Sequence, residues 1–200
     1  MRKAIIHLKK KDPTLGRIIE AVGPYRMQFH DPTFASLARS IVFQQLNGKA
    51  ASTIYQRLLD AAGGVVTPES ILKLRPAKLR KIGLSRQKSA YIADLARHTH
   101  GGSIVFETIH QLSDDQVIEH LTAIKGIGVW TAHMFLIFAL RRTDVLPTGD
   151  LGVRMAIRKA YSLPELPTKA EIEELARAWR PYCSVAAWYL WRSLDTEITL

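Results

Sequence analysis

The sequence predicts an all-α protein built from many short helices. Apolar residues recur at helical spacing in most segments, as Val117, Leu121 and Ile124 do. Helix start and stop signals punctuate the chain: Asp-Pro, Pro or Ser begins several of the periodic segments and glycine often follows them. Strand-like alternation is confined to Ala4–Leu8 and Tyr25–Phe29. This pattern favours packed short helices over a bundle of long ones.

The predicted helices follow one another with short connections. Asp12-Pro13 opens a helix that runs to Val22 before Gly23. Asp31-Pro32 opens the next helix at 33–43. Later helices are predicted at about 49–62, 85–98, 113–124, 129–140, 151–161, 169–179 and 184–195, with short helices starting at residues 68 and 76.

The composition points to a polyanionic partner. The formal net charge is +10 over 200 residues, so nucleic acid is the first candidate, with simple solubility as the plainer alternative. The single cysteine, Cys183, excludes an internal disulfide and a cysteine-ligated metal cluster within the chain. Residues 1–11 do not look like a leader, and no apolar run is long enough to span a membrane. We therefore expect a cytoplasmic location.

A short turn with the sequence Gly126-Ile127-Gly128 joins two apolar-faced helices within the segment 121–132 (LTAIKGIGVWTA). Glycines allow positive φ and a close backbone approach, while Ile127 is expected to plug inward. Backbone amides at the start of the second helix then face outward and form an anion site. The alternative is a tight turn with no ligand. The wider pattern, with Lys125 before the turn and Thr131 after it, is the helix-hairpin-helix consensus for holding DNA phosphate.

Asp150 follows a loop that contains Pro147 and Gly149 and stands where the next helix begins. On its own it is most simply a helix N-cap. A functional role is compatible with that position, because a capping residue has a rigidly held carboxylate.

Four segments together resemble the helix-hairpin-helix DNA glycosylase superfamily. They are the hairpin at 121–132, GDLGV at 149–153, FQQLNGKAA at 43–51 and WRPYCSVAAWYLW at 179–191. The chain is most similar to the AlkA-like DNA-3-methyladenine glycosylase II branch, in a short form without the extra N-terminal domain of longer members. The resemblance covers about residues 31–191.

The resemblance implies a two-lobed helical fold with a DNA cleft between the lobes. We expect one domain over residues 1–200, with lobe A at about 35–145 and lobe B at about 1–34 plus 146–200. It also implies that Asp150 is catalytic, as a general base or as an electrostatic stabiliser of an oxocarbenium-like sugar. Double-stranded DNA with damaged bases is the expected partner, and no membrane or protein partner is required.

Aromatic residues of the family's base pocket match Trp130 and Trp191, and a third position carries Met134 instead of an aromatic ring. Bifunctional members have a nucleophilic lysine at the position of Trp130, so the resemblance implies a monofunctional enzyme without lyase activity. The alternative for the two tryptophans is a core role, which we favour for Trp188 and Tyr189.

The family opens the duplex with a side chain from the loop that matches Gln45, Leu46 and Asn47. Leu46 is equally suited to the core, and Asn47 to capping the next helix. The turn containing Arg86 and Lys88 offers either a second phosphate contact or a solvated charged surface.

The function that the resemblance implies is excision of alkylated purines of the 3-methyladenine and 7-methylguanine type. No organic cofactor is expected, and no side-chain metal site is evident. A monovalent cation at the hairpin backbone is compatible with the motif. Three alternatives remain: a glycosylase for oxidised, deaminated or etheno bases, a non-catalytic helix-hairpin-helix DNA-binding protein, and an RNA-binding helical domain.

Overall fold

The computed structural model describes residues 1–195, and all of its regular structure there is helical. The all-α prediction is therefore confirmed. In chain order the helices are α1 (Arg2–Lys11), α2 (Pro13–Val22), α3 (Phe34–Phe43), α4 (Gly48–Ala61), α5 (Pro68–Leu72), α6 (Pro76–Lys81), α7 (Arg86–His100), a 3₁₀ turn (Ile109–Gln111), α8 (Asp114–Thr122), α9 (Val129–Phe138), α10 (Leu151–Ala160), α11 (Lys169–Ala176) and α12 (Cys183–Asp195).

The chain divides into two compact units. One consists of Met1–Phe29 together with the chain from Arg141 onward, and the other is His30–Leu140. The sequence placed the two lobe boundaries near residues 35 and 145. The first unit contains α1, α2 and α10–α12, and the second contains α3–α9.

The N-terminal segment corrects one prediction. Ala4–Leu8, which alternates like a strand, lies within α1. Ala4 and Leu8 are four residues apart, so they share one helical face, and both are buried against α2. Three lysines in the last turn of α1 complement the negative end of the helix dipole. Tyr25–Phe29 forms no strand either and remains irregular.

The starts of α2–α12 lie within about one residue of their predicted positions, but α3 is capped by Thr33 and not by Asp31 of the Asp31-Pro32 pair. Thr33, Thr67, Ser113 and Thr168 each complete a capping box, in which the cap and the third residue exchange hydrogen bonds. Such pairs satisfy amides that the first helical turn leaves without partners, so helices as short as α5 begin at defined residues.

A buried carboxylate organises the core of the first unit. Asp12 caps α2 by accepting the Leu15 amide at 2.9 Å. Its second oxygen accepts the Trp179 indole N–H at 2.7 Å and the Tyr161 hydroxyl. Burial, followed by the neighbouring Asp12 carboxylate, raises the pKa of Tyr161. Asp12 thus joins the N-terminal helices to the chain after α10, within the unit that carries Asp150.

Candidate active site

Asp150 is the N-cap of α10, as the sequence predicted, and its side chain is 8% exposed. Pro147 and Gly149 form the preceding turn, in which the Asp150 amide donates to the Pro147 carbonyl at 2.9 Å. The Asp150 Oδ1 atom accepts the Val153 amide at 2.8 Å. The carboxylate is therefore held by the start of the helix that it caps.

Trp191, predicted to line the base pocket, contacts the same carboxylate. Its indole Nε1 donates to Asp150 Oδ1 at 2.8 Å, and its ring is only half-buried. Gly152 makes room for this pair, because a Cβ there would lie 3.1 Å from both Asp150 Oδ1 and Trp191 Cδ1. No local pattern predicts this hydrogen bond, because it spans 41 positions.

The hairpin has the predicted form with one difference. Gly126 has φ +84°, whereas Gly128 has φ −95° and serves as the N-cap of α9. Because this cap is a glycine, α9 begins without a capping side chain, which suits an anion at its N-terminus. Ile127 is 4% exposed and plugs inward as expected, and Lys125 lies exposed beside it.

Helix α7 supports this hairpin through two side chains that the sequence analysis did not identify. The Tyr91 ring lies so close to Gly126 that a Cβ there would approach Tyr91 Cδ2 to 2.1 Å. One turn further along α7, Asp94 Oδ2 accepts the Lys125 amide at 3.0 Å. Gly126 is therefore required by its torsion and by its neighbour.

Asp94 is a buried carboxylate, 7% exposed, with several donors around it. Burial acts to raise its pKa, but the Lys125 amide and the Arg97 guanidinium, 2.7 Å from Oδ1, outweigh burial and hold the pKa below its ordinary value. Its charge therefore persists at neutral pH and fixes the amide that precedes Gly126.

A cavity of about 700 Å³ lies within the second unit, close to the hairpin. Its lining includes Trp130, Met134, Thr131 and Gln45, so the structure brings together two predicted pocket residues and one predicted wedge residue. Trp130 is 50% exposed, which excludes the core alternative for this tryptophan. Trp188 and Tyr189, at 8% and 0%, do belong to the core.

The predicted wedge loop connects α3 to α4. Leu46 is 40% exposed, so the core alternative for this side chain is wrong. Asn47 caps α4, with its Oδ1 accepting the Ala50 amide at 2.9 Å. Gln45 adopts φ +55°, a left-handed torsion that is uncommon for residues other than glycine.

Lys88 does not match either sequence interpretation. Its Nζ donates to the Val42 carbonyl at 2.7 Å and also to the Gln44 carbonyl, at the end of α3. Burial lowers the pKa of this ammonium group. The hydrocarbon stem of a lysine allows its charge to reach groups far from its own backbone, which the sequence pattern does not reveal.

No helix within residues 1–195 combines the length and the apolar character required to cross a bilayer. Across those same residues, histidine, cysteine and acidic side chains form no group of three or more suited to a metal ion. The monovalent cation at the hairpin backbone remains a prediction.

Known proteins resemble this chain over almost its whole length. DNA-3-methyladenine glycosylase 1 of Schizosaccharomyces pombe is 38% identical over 200 residues, covering 96% of this chain and 87% of that protein. A 3-methyladenine DNA glycosylase of the same organism, solved in complex with abasic DNA, aligns with a TM-score of 0.85 at 37% identity and covers 98% of both chains. The Bacillus halodurans DNA-3-methyladenine glycosidase aligns with a TM-score of 0.89 at 38% identity, covering 96% of this chain and 89% of that one.

The family match covers the hairpin, the Asp150 turn and the loop before α4. Residues 38–181 fit the model described as HhH-GPD superfamily base excision DNA repair protein. The chain belongs to the HhH-GPD superfamily of base excision DNA repair proteins.

Proposed function

We propose that this protein is a monofunctional DNA glycosylase that hydrolyses the N-glycosidic bond of alkylated purines in duplex DNA. The observation that carries the proposal is the buried Asp150 carboxylate, whose Oδ1 is held at 2.8 Å by both the Val153 amide and the Trp191 indole. Within this superfamily, a rigidly placed carboxylate after the hairpin is suited to N-glycosidic bond cleavage. The named relatives are 3-methyladenine glycosylases, which indicates the lesion class.

The chemistry requires little from the protein beyond one negative charge. The bond between C1′ and the base nitrogen breaks, and its electron pair goes to the base, which neutralises a cationic alkylpurine. The sugar gains oxocarbenium character, and the Asp150 carboxylate stabilises that positive charge. Water adds at C1′ and loses a proton, with the carboxylate as its base or as its orienting group. The products are a free base and an abasic site.

Trp130 supports recognition of a cationic base. Its indole is half exposed and lines the cavity, which places an aromatic ring where a base can stack. Cation–π attraction contributes about 1–2 kcal/mol when the cation is desolvated. Met134 in the same lining supplies a polarizable and adaptable side chain. We assign both residues to the base pocket.

Two features favour water over a lysine as the nucleophile. Tryptophan stands where a bifunctional enzyme has its lysine, and the nearby Lys88 is engaged with the carbonyls of Val42 and Gln44. We therefore assign no Schiff-base step to this chain.

The hairpin at 125–128 with Thr131 holds DNA phosphate, and one of Gln45, Leu46 and Asn47 enters the base stack. Leu46 is favoured because its apolar side chain is exposed.

The test uses duplex DNA methylated by an alkylating agent, with wild-type protein and Asp150→Asn. Asparagine keeps the shape and the capping ability of the side chain but removes its charge. Asp60→Asn is the matched control, because Asp60 is an exposed aspartate on α4 whose Oδ1 accepts the Gln56 side-chain amide at 3.0 Å. Released methylpurines and strand breaks are both measured.

Release by wild type and Asp60→Asn but not by Asp150→Asn, with abasic sites left uncleaved, is the expected result. Strand cleavage at those sites by wild type contradicts the monofunctional assignment. An absence of base release despite tight DNA binding contradicts the alkylpurine assignment. The remaining alternatives are then a glycosylase for another lesion and a non-catalytic DNA-binding protein.

A further inference from the structure

The loop that carries Leu46 is held in an unfavourable conformation. Helix α3 ends at Phe43, and two residues later Gln45 adopts φ +55°. A residue with a side chain keeps such a torsion only where its surroundings enforce it. The neighbours of this turn therefore determine where the exposed Leu46 side chain points.

Two side chains provide that enforcement. The Gln44 side-chain amide donates from Nε2 to the Gly126 carbonyl at 3.0 Å, across 82 positions of sequence. Lys88 Nζ donates to the carbonyls of Val42 and Gln44, immediately before the strained residue. The side chain of Gln44 thus reaches the hairpin, and its backbone is held by α7.

The hairpin end of this connection is equally well fixed. Gly126 packs against the Tyr91 ring, and the preceding Lys125 amide donates to Asp94. Lys88, Tyr91 and Asp94 follow one another at intervals of three residues along α7, so they extend along one side of the helix. One helix therefore supports both the loop at 45–47 and the hairpin at 125–128.

We infer that Gln44 and Lys88 are positioning residues that couple the phosphate hairpin to the wedge loop, so that gripping the DNA backbone and entering the base stack occur as one action. The inference rests on the proposed function, since it requires that the loop enters DNA. Neither residue is assigned contact with the reacting atoms. Their effect is to hold Leu46 in register with the hairpin grip.

The experiment compares Gln44→Ala and Lys88→Met with Gln56→Ala and Lys73→Met as matched controls. Gln56 is an exposed glutamine on α4 that donates one hydrogen bond to Asp60, and Lys73 is an exposed lysine that ends α5. Excision of 7-methylguanine is measured opposite cytosine and opposite thymine, because a weaker base pair costs less to open. The fluorescence of 2-aminopurine beside the lesion site reports base unstacking independently of excision.

Excision opposite cytosine is expected to fall about threefold to tenfold for Gln44→Ala and about tenfold or more for Lys88→Met, following the strengths of neutral and charge-assisted hydrogen bonds. The loss of excision is smaller opposite thymine, and the increase in 2-aminopurine fluorescence on binding is smaller than for wild type. Duplex affinity stays within about threefold of wild type because the hairpin contacts remain. Gln44→Ala combined with Leu46→Ala is no worse than Leu46→Ala alone, as expected for one coupled unit.

Equal losses opposite cytosine and thymine with an unchanged 2-aminopurine signal overturn the inference, and so does strict additivity of Gln44→Ala and Leu46→Ala. Gln44→Asn, which keeps the amide but shortens its reach, and Lys88→Arg, which keeps the charge, serve if the first pair unfolds. Failure of wild type to excise any base contradicts the proposed function instead, and the fluorescence result still decides the coupling.

Discussion

The Trp191 indole N–H and the Val153 amide both donate to Oδ1 of Asp150, each at 2.8 Å. One donor belongs to the helix that Asp150 caps, and the other comes from α12. Two donors from different helices fix the direction of the carboxylate as well as its position. Trp191, predicted as a pocket residue, therefore also orients the candidate catalytic group.

Replacing Trp191 with phenylalanine separates these two roles. Phenylalanine keeps an aromatic ring but removes the N–H donor. A hydrogen bond to a charged group contributes about 1.5–3 kcal/mol, so we expect the single-turnover rate constant for methylpurine release to fall about tenfold to hundredfold. The measurement is single-turnover excision together with duplex affinity, which should change little.

If Trp191 acts only by stacking on the base, Trp191→Phe retains most of the activity. Trp188→Phe, in the same helix and buried at 8% exposure, is the control for a general disturbance of α12.

Truncation of Trp179 should mainly lower stability, whereas truncation of Trp130 should mainly lower excision. Trp179 is fully buried and bonded to Asp12, so Trp179→Ala is expected to lower the free energy of unfolding by about 3–5 kcal/mol. Trp130 is 50% exposed, so Trp130→Ala should cost well under half of that amount while weakening excision of cationic bases. Urea denaturation and base release distinguish the two, and a large stability loss for Trp130→Ala would count against its place in the pocket.

The Asp94 carboxylate makes the stability of the hairpin region depend on pH. Because its pKa in the folded protein lies below the ordinary value of 3.8, its contribution is complete above that pH and is lost as the pH falls through the folded pKa. The free-energy difference between wild type and Asp94→Asn should be about 1–3 kcal/mol near pH 6 and shrink below about pH 4. Urea denaturation from pH 3 to pH 7 measures it. A difference that is constant with pH would mean that the charge contributes nothing.

Lys125 is exposed beside the hairpin turn, and its side-chain charge can be removed by substitution while the backbone amides of the hairpin stay in place. Lys125→Ala should weaken duplex binding at low salt and reduce the slope of log K against log salt by about 0.9, the value of one phosphate contact. Lys73→Ala, at the C-cap of α5, serves as the control for net charge. An unchanged slope would show that this side chain does not meet phosphate.

Much of the fold could be predicted because its signals are local. Caps such as Ser113 and Asp150 act within three residues, so the starts of α2–α12 were predicted to within about two positions. The failure at Ala4–Leu8 has the opposite cause. Five residues of mixed character fit either period, and only packing of Ala4 and Leu8 against α2 determines that the segment is helical.

The candidate site was predicted where its residues lie in recognisable motifs and missed where they act over distance. Asp150, Trp130 and the hairpin stand in or beside the motifs that the sequence revealed. Gln44, Lys88 and Asp94 act through hydrogen bonds to backbone groups 82, 46 and 31 positions away. Such partners follow from the tertiary arrangement. In a sequence, a glutamine, lysine or aspartate that bonds to a distant backbone group looks the same as one that is exposed to solvent.

Because Asp150 is an N-cap, folding requires only a capping side chain at this position, whereas the proposed chemistry requires a carboxylate. Asparagine and serine cap helices about as well as aspartate, so either could replace Asp150 while α10 still begins at Leu151. A lineage that lost the carboxylate would keep its folded hairpin and its grip on DNA. Descendants of such a gene would lack the charge that we propose for cleavage of the glycosidic bond, one substitution away from the present sequence.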